Sequence, residues 1–236
     1  MRTSDALAFC FALTLGAAAA HGATKPARCP PVELLYDDKE ELAEKRTDNN
    51  KDCKPDEIVH YQAGKPARAE KDTDLDGRID TWIRYDAAGQ TLVQERDSDG
   101  DGKPDETVEF AGGKASLQKV DRNKDGKPEA VLRYDASGQP AREEVDTNGD
   151  GKPDRFVTYQ NGKPARAEED QNGDGVVDAR ADYDAEGRPA REEQDSTGDG
   201  RIDAAIVYEN GQKVRVEEDT DGDGKPDVFT RYAGGV

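Results

Sequence analysis

The acidic stretch DTDLDGRID, Asp72 to Asp80, is one of eight such stretches along this chain, beginning at Asp48, Asp72, Asp97, Asp121, Asp146, Asp170, Asp195 and Asp219. The intervals alternate between 24 and 25 residues, and an aromatic stands thirteen residues after each start: Tyr61, Tyr85, Phe110, Tyr134, Tyr159, Tyr183, Tyr208 and Tyr232. Tyr36 extends the series backward, so the array begins near Val32 and runs to residue 236. Self-similarity at this period excludes one closed globule and calls for a row of equivalent supersecondary units, each touching its neighbours.

Each unit reads as loop, strand, turn, strand. In DGRIDTWIRYDAAGQTLVQERD the first strand alternates, with Ile79, Thr81, Ile83 and Tyr85 on one face and Asp80, Trp82 and Arg84 on the other. The turn glycine comes three residues after the aromatic at Tyr61 to Gly64 and four after it at Tyr85 to Gly89. Two turn types therefore alternate, and the true unit is 49 residues carrying two hairpins, which could face different sides of a stack. The fold class expected is all-β: an elongated tandem β-hairpin array, either solenoid-like or one continuous antiparallel sheet, with acidic loops between hairpins.

Apolar side chains alone are too few to hold such a row. The chain is 33% hydrophobic and 37% charged, with a formal charge of -19. Return strands such as KPARAEED bury little beyond Ala165 and Ala167. The loops supply the other candidate for cohesion, because their oxygens recur at fixed positions. Position 1 is always Asp, at the eight starts given above. Position 3 holds Asn50, Asp74, Asp99, Asn123, Asn148, Asn172, Thr197 and Asp221. Position 5 holds Asp52, Asp76, Asp101, Asp125, Asp150, Asp174, Asp199 and Asp223, and position 9 holds Asp56, Asp80, Asp105, Glu129, Asp154, Asp178, Asp203 and Asp227.

With glycine at position 6 and a backbone carbonyl at position 7, this order suits a hard, oxygen-seeking ion. Calcium fits better than magnesium, which keeps its waters, or zinc, which favours His and Cys. Up to eight Ca²⁺ are expected, which would reduce the formal charge of -19 to about -3. Two carboxylates about 5 Å apart repel by roughly 1 kcal/mol in water and about 3 kcal/mol at an effective dielectric of 20, so cation-free loops work against the array.

The loops are not EF-hands. Position 12, the usual bidentate Glu, is Ile83, Val108, Leu132 or Val157, and position 8 is often proline, as at Pro55, Pro104, Pro128, Pro153 and Pro226. The remaining ligands must come from the Glu two residues before position 1 (Glu70, Glu95, Glu144, Glu168, Glu193, Glu217) or from water. Weaker binding is expected in the first loop, where Cys53 replaces glycine, in the fourth, which ends in Glu129, and in the seventh, with Thr197 at position 3.

The sequences DTDGDGKPD (Asp219 to Asp227), DSDGDGKPD (Asp97 to Asp105) and DTNGDGKPD (Asp146 to Asp154) resemble the DxDxDG calcium repeats typified by thrombospondin type 3 domains. That resemblance implies extracellular, calcium-dependent order. YDAAGQ from Tyr85, YDASGQ from Tyr134 and YDAEGR from Tyr183 are similar to YD hairpin repeats of the Rhs type, which build long spiralling antiparallel sheets outside cells. Neither resemblance brings catalytic residues.

Residues 1–22 read as a signal peptide, with Arg2, an apolar run from Ala6 to Ala20 and cleavage near Gly22; residues 23–31 read as a linker before the repeats at 32–236. No later stretch is long and apolar enough to cross a membrane. The expected location is secreted, periplasmic or cell-surface. Once Cys10 leaves with the signal, Cys29 and Cys53 remain, and an exported pair of cysteines favours a disulfide over two free thiols.

An enzyme is not expected. The mature array holds one His, His60, on the face away from the Tyr row, and it lacks HExxH, GxSxG and phosphate-cradling motifs. So acidic a chain is a poor nucleic-acid ligand. The functional reading is a structural or adhesive rod ordered by calcium. Calcium-dependent recognition of a polysaccharide or surface protein is the alternative, calcium storage is a third possibility, and the strand around Tyr232 offers an edge for self-assembly.

Overall fold

The computed structural model describes residues 29–232. The expected signal segment 1–22, most of the linker and the last four residues lie outside the described residues. Seventeen strands form one antiparallel sheet. They are β1 (Val32–Tyr36), β2 (Leu42–Thr47), β3 (Glu57–Gln62), β4 (Lys65–Lys71), β5 (Thr81–Tyr85), β6 (Thr91–Arg96), β7 (Glu106–Ala111), β8 (Lys114–Val120) and β9 (Ala130–Tyr134). The series continues with β10 (Pro140–Val145), β11 (Arg155–Gln160), β12 (Lys163–Glu169), β13 (Ala179–Tyr183), β14 (Pro189–Gln194), β15 (Ala204–Glu209), β16 (Gln212–Glu218) and β17 (Val228–Arg231).

Every strand pairs with its neighbours in sequence, from β1 with β2 through to β16 with β17. The architecture is thus the continuous sheet, not a stack whose hairpins face different ways. It stays open at both ends. Because direction reverses at each step, all short turns fall on one edge and all acidic loops on the other. Strands spaced about 4.8 Å apart make this ribbon roughly 80 Å long if unrolled.

Turn chemistry explains the 24/25 alternation. Gln62 pairs with Lys65 across Ala63 (φ 50°) and Gly64 (φ 73°), a two-residue turn with both central residues left-handed; Asn161–Gly162 and Asn210–Gly211 repeat it. In the intervening hairpins the Asp after the Tyr organises the turn. The Asp86 carboxylate accepts N–H bonds from Ala88 (2.8 Å) and Gln90 (2.9 Å), and Gly89 N–H donates to the Asp86 carbonyl. Asp135 and Asp184 do the same.

Each hairpin also contains one β-bulge, beside the aromatic. Arg84 faces Val93 and Tyr85 faces Thr91, so Leu92 is the extra residue; His60/Tyr61 and Thr158/Tyr159 mark the same step. The pairings across the acidic loops run without a shift, as in β4–β5 and β12–β13. Bulges add twist, so twist enters the sheet once per hairpin.

One face carries a single row across the sheet: Val59 faces Ala69, Ala69 faces Ile83, Ile83 faces Gln94 and Gln94 faces Val108. Val59, Ala69 and Ile83 are the buried core of this region, with Tyr61 and Tyr85 packed against them. Among the described residues no second layer covers the row, and no large side chain is fully enclosed. Polar members of the row are matched by tyrosine hydroxyls: Tyr134 donates to Gln118 (2.7 Å), Tyr159 to Glu143 (2.9 Å) and Tyr208 to Glu192 (2.8 Å). Burial first, then the bond to its carboxylate, pushes the Tyr159 and Tyr208 hydroxyls up to about 12, so both stay protonated donors at neutral pH.

The expected disulfide joins Cys29 to Cys53, with Cα atoms 5.4 Å apart. In the chain-entropy model, closing a loop of this length stabilises by roughly 3 kcal/mol.

With so thin a core, Ile83→Ala should cost about 2 kcal/mol, the low end for such truncations. Urea unfolding followed by the fluorescence of Trp82, on the adjoining strand position, measures it. A cost below about 0.5 kcal/mol, the range of an ordinary surface substitution, would show that the row carries no such load.

Candidate metal-binding loop edge

The acidic loops fold around their own carboxylates. In the third loop Asp97, at position 1, accepts N–H bonds from Gly100 and Gly102, each 2.7 Å, one on each oxygen. Asp99 accepts from Asp101 (3.1 Å), Asp101 from Lys103 (2.8 Å), and Asp105 from Ser98 (2.7 Å), so the carboxylates at positions 3, 5 and 9 are all oriented by backbone. Gly100 and Gly102 sit at φ 77° and 86°, which this tight wrapping requires. Where position 3 is Asn, its amide oxygen takes over the bond: Asn50 accepts from Asp52, Asn148 from Asp150 and Asn172 from Asp174, each 2.8 Å.

Successive loops are joined through their backbones. The position-1 N–H donates to the position-9 carbonyl of the preceding loop, from Asp72 to Asp56 and Asp97 to Asp80 through to Asp219 to Asp203. Loops recur every second strand, so their centres are about 10 Å apart along the edge. A cleft of about 250 Å³ lies between the second and third, lined by Asp74, Asp76, Asp80, Asp97 and Asp99.

In five loops three carboxylates converge, each offering an oxygen within 4.8 Å of the other two. The trios are Asp48, Asp52 and Asp56; Asp72, Asp74 and Asp80; Asp97, Asp99 and Asp101; Asp121, Asp125 and Glu129; and Asp219, Asp221 and Asp227. The fifth, sixth and seventh loops, with Asn148, Asn172 and Thr197 at position 3, form no such trio among the described residues. This grouping cuts across the ranking expected from sequence: of the three loops expected to bind weakly, the first and fourth close a trio and the seventh does not, while the fifth and sixth also form none.

The donors fit a hard cation, since each convergent set contains oxygen alone, with no His or Cys among the grouped side chains. The glutamates two residues before position 1, one of the expected sources of a further ligand, mostly have ion-pair partners of their own. Five of the six candidates are ion-paired to the arginine two residues earlier on the sheet face: Arg68–Glu70 (3.0 Å), Arg142–Glu144 (2.9 Å), Arg166–Glu168 (3.0 Å), Arg191–Glu193 (2.8 Å) and Arg215–Glu217 (2.6 Å). Residues two apart in a strand share a face, which puts these glutamates with the arginines. His60 pairs with Glu44 at 3.2 Å, away from every loop.

The electrostatics follow from these bonds. The Ser98 hydroxyl and N–H, with the Lys124 ammonium, hold the Asp105 carboxyl below its usual range against the opposing effect of burial. At Asp80 burial acts upward, but the Thr81 and Thr73 hydroxyls and the N–H groups of Thr73 and Asp74 together outweigh it and lower the value. Lys124, from the fourth loop, reaches the third at 3.0 Å from Asp99 and 3.6 Å from Asp105.

Neither a family model nor a curated protein matches the chain. Among solved structures, it is similar to part of the accessory secretory proteins of Streptococcus pneumoniae, at 18% identity over 49% of this chain and 19% of that one, TM-score 0.32. It is also similar to parts of S. aureus TarM, at 14% identity over 61% and 20% of the two chains, TM-score 0.23. A third likeness is to TcdB2-TccC3-TEV, at 10% identity over 81% and 12%, TM-score 0.26. The chain spans a fifth or less of the length of each. At these scores the likenesses carry no functional argument.

Depressed carboxyl values carry a definite pH sign. They contribute stability that is fully present above the unfolded carboxylate pKa, near 4, and that is lost as pH falls through the lowered folded values. In calcium-free buffer, loop amide chemical shifts should therefore hold from neutrality down to about pH 4 and collapse below it. Loss already under way near pH 6 would contradict the bonding described at Asp80 and Asp105.

Proposed function

We propose that this chain is an exported calcium-binding repeat protein, a structural or adhesive rod whose open sheet is ordered along its loop edge by up to eight Ca²⁺. The observation that carries the reading is the convergence of three carboxylates in each of five loops, in a series joined by backbone hydrogen bonds. Position-1 and position-9 carboxylates would hold the ion, those at positions 3 and 5 would add ligands, and water would complete the shell. Bound calcium would supply charge neutralisation and cross-linking within each loop. The resemblance of the loops to thrombospondin type 3 repeats, and of the alternate hairpins to YD repeats, supports an extracellular setting. The disulfide supports an oxidising compartment, whether secreted, periplasmic or cell-surface.

Among the described residues no helix is long and apolar enough to cross a membrane. The reading assigns no catalytic role and no nucleic-acid partner. It keeps the outer edge of β17, with exposed Val228 and Phe229, as the place for self-assembly.

A second reading, calcium-dependent recognition of a polysaccharide or surface protein, is favoured by one feature. A shallow groove of about 300 Å³ crosses β11–β15 where Ala167, Ala179, Ala181 and Ala204 leave room beside Tyr183, Arg155 and Glu192. A glycan array read with and without chelator separates it from the rod.

Titration calorimetry tests the first reading. Calcium should bind at several sites per chain, with the five trio-forming loops filled first, and magnesium should compete weakly. No heat from calcium at millimolar concentration would overturn it.

A further inference from the structure

The residues just before the sheet follow the register of the loops. Asp48 N–H donates to the Pro31 carbonyl (2.9 Å), the bond that Asp72 makes to Asp56 and Asp97 to Asp80. Pro31 therefore stands at position 9 of a loop preceding the first, Pro30 at position 8 and Cys29 at position 7. The sequence agrees, since Cys29-Pro30-Pro31 aligns with Lys54-Pro55-Asp56 and Lys103-Pro104-Asp105. The oxygens have gone: position 9, elsewhere a carboxylate, is here a proline.

In four of the loops the position-7 side chain, Lys54, Arg78, Val176 or Arg201, leans over the next loop. A Cβ on Gly77, at position 6 of the second loop, would meet Lys54 Nζ at 3.4 Å, and one on Gly200 would meet Val176 Cγ1 at 3.8 Å. Arg78 and Arg201 lie over position 4 of the loops that follow them: a Cβ on Gly100 would meet an Arg78 nitrogen at 3.7 Å, and Arg201 donates to the Gly222 carbonyl at 3.4 Å. Cys53 is position 6 of the first loop, with φ 75° like the glycines it replaces. The disulfide thus joins position 7 to position 6 of the next loop, the two positions that approach each other at Lys54 over Gly77 and Val176 over Gly200.

Pro31 adds a second property. In the first loop Asp56 N–H closes the turn onto the Thr47 carbonyl, and proline has no N–H to repeat this. With Pro30 beside it, the segment offers no backbone donor to a further strand on the loop side of this end.

We propose that residues 29–31 continue the loop register ahead of the first loop and cap the array, held by a disulfide where Lys54 and Val176 instead approach the glycine of the next loop, so that the cap is redox-sensitive. A dithiol reductant breaks the Sγ–Sγ bond, leaves two thiols on the chain and is itself oxidised to a disulfide. Reduction frays the end at β1 and β2 while the middle of the sheet keeps its order, because each unit contacts only its neighbours. This inference does not rest on the metal reading.

Hydrogen–deuterium exchange on the full chain tests it, comparing the oxidised protein, the dithiol-reduced protein and two double variants. Reduction and C29S/C53S should each speed exchange in β1 and β2 by about tenfold or more, with β7–β12 unchanged. C29K/C53G, which restores the Lys-over-Gly pair seen at Lys54 and Gly77, should return exchange to within about threefold of the oxidised protein without any disulfide. Full protection in C29S/C53S, acceleration spread evenly over the sheet, or a C29K/C53G variant no better protected than C29S/C53S would each overturn the proposal.

Discussion

A sheet with no second layer to pack against cannot be held together by a shared interior, and the rest of this molecule is organised around that deficit. Its continuous row alternates small, aliphatic and polar members, with Val59, Ala69 and Ile83 as its clustered part, and Ala130, Val145 and Ala205 are buried outside it. Strand order and register must then come from local devices: left-handed Gly and Asn turns, aspartate-organised turns and one bulge per hairpin. Each specifies only its own pair of strands, and the array is their sum.

The two edges carry this load differently. On the turn edge, lysines bridge adjacent hairpins, as Lys65 Nζ donates to the Ala87 carbonyl at 3.0 Å and Lys163 Nζ to Ala185 at 3.1 Å. On the loop edge the connection is a backbone bond from each position-1 N–H to the preceding position-9 carbonyl. That bond brings carboxylates together, so the contact that orders the loops also concentrates negative charge. Backbone N–H groups and a few ammonium groups such as Lys124 offset part of it. A divalent cation bound in the loops, as proposed, would offset the rest and turn the loop edge from the repelling side of the sheet into its stiffer side.

Much of this was legible in the residues. The period, the alternation of two turns at Gly64 and Gly89 and the hairpin units follow from spacing and turn chemistry, and the pairing of Cys29 with Cys53 from the expectation that an exported pair of cysteines is joined. Whether hairpins stack or continue one sheet did not, because a period describes the unit and is silent on the rotation between units. The bulges were hidden as well, since Leu92 and Ala165 carry no mark of being extra. The ion pairing of the glutamates before the loops was not legible in spacing alone: in RxE on a strand the arginine shares the face of the glutamate and holds it there. Pro31 lacks the position-9 carboxylate that marks a loop, so the hydrogen bond from Asp48 is what reveals its place in the loop register.

The account depends on cations supplying cohesion that the thin core lacks. Small-angle scattering with far-UV circular dichroism on the oxidised, mature chain, in calcium and then in excess EGTA, addresses this directly. The expected result is a rigid, elongated β-rich particle in calcium that loses stiffness and strand signal in chelator. An identical scattering profile and spectrum in both would contradict the account and assign the cohesion to hairpins and backbone alone.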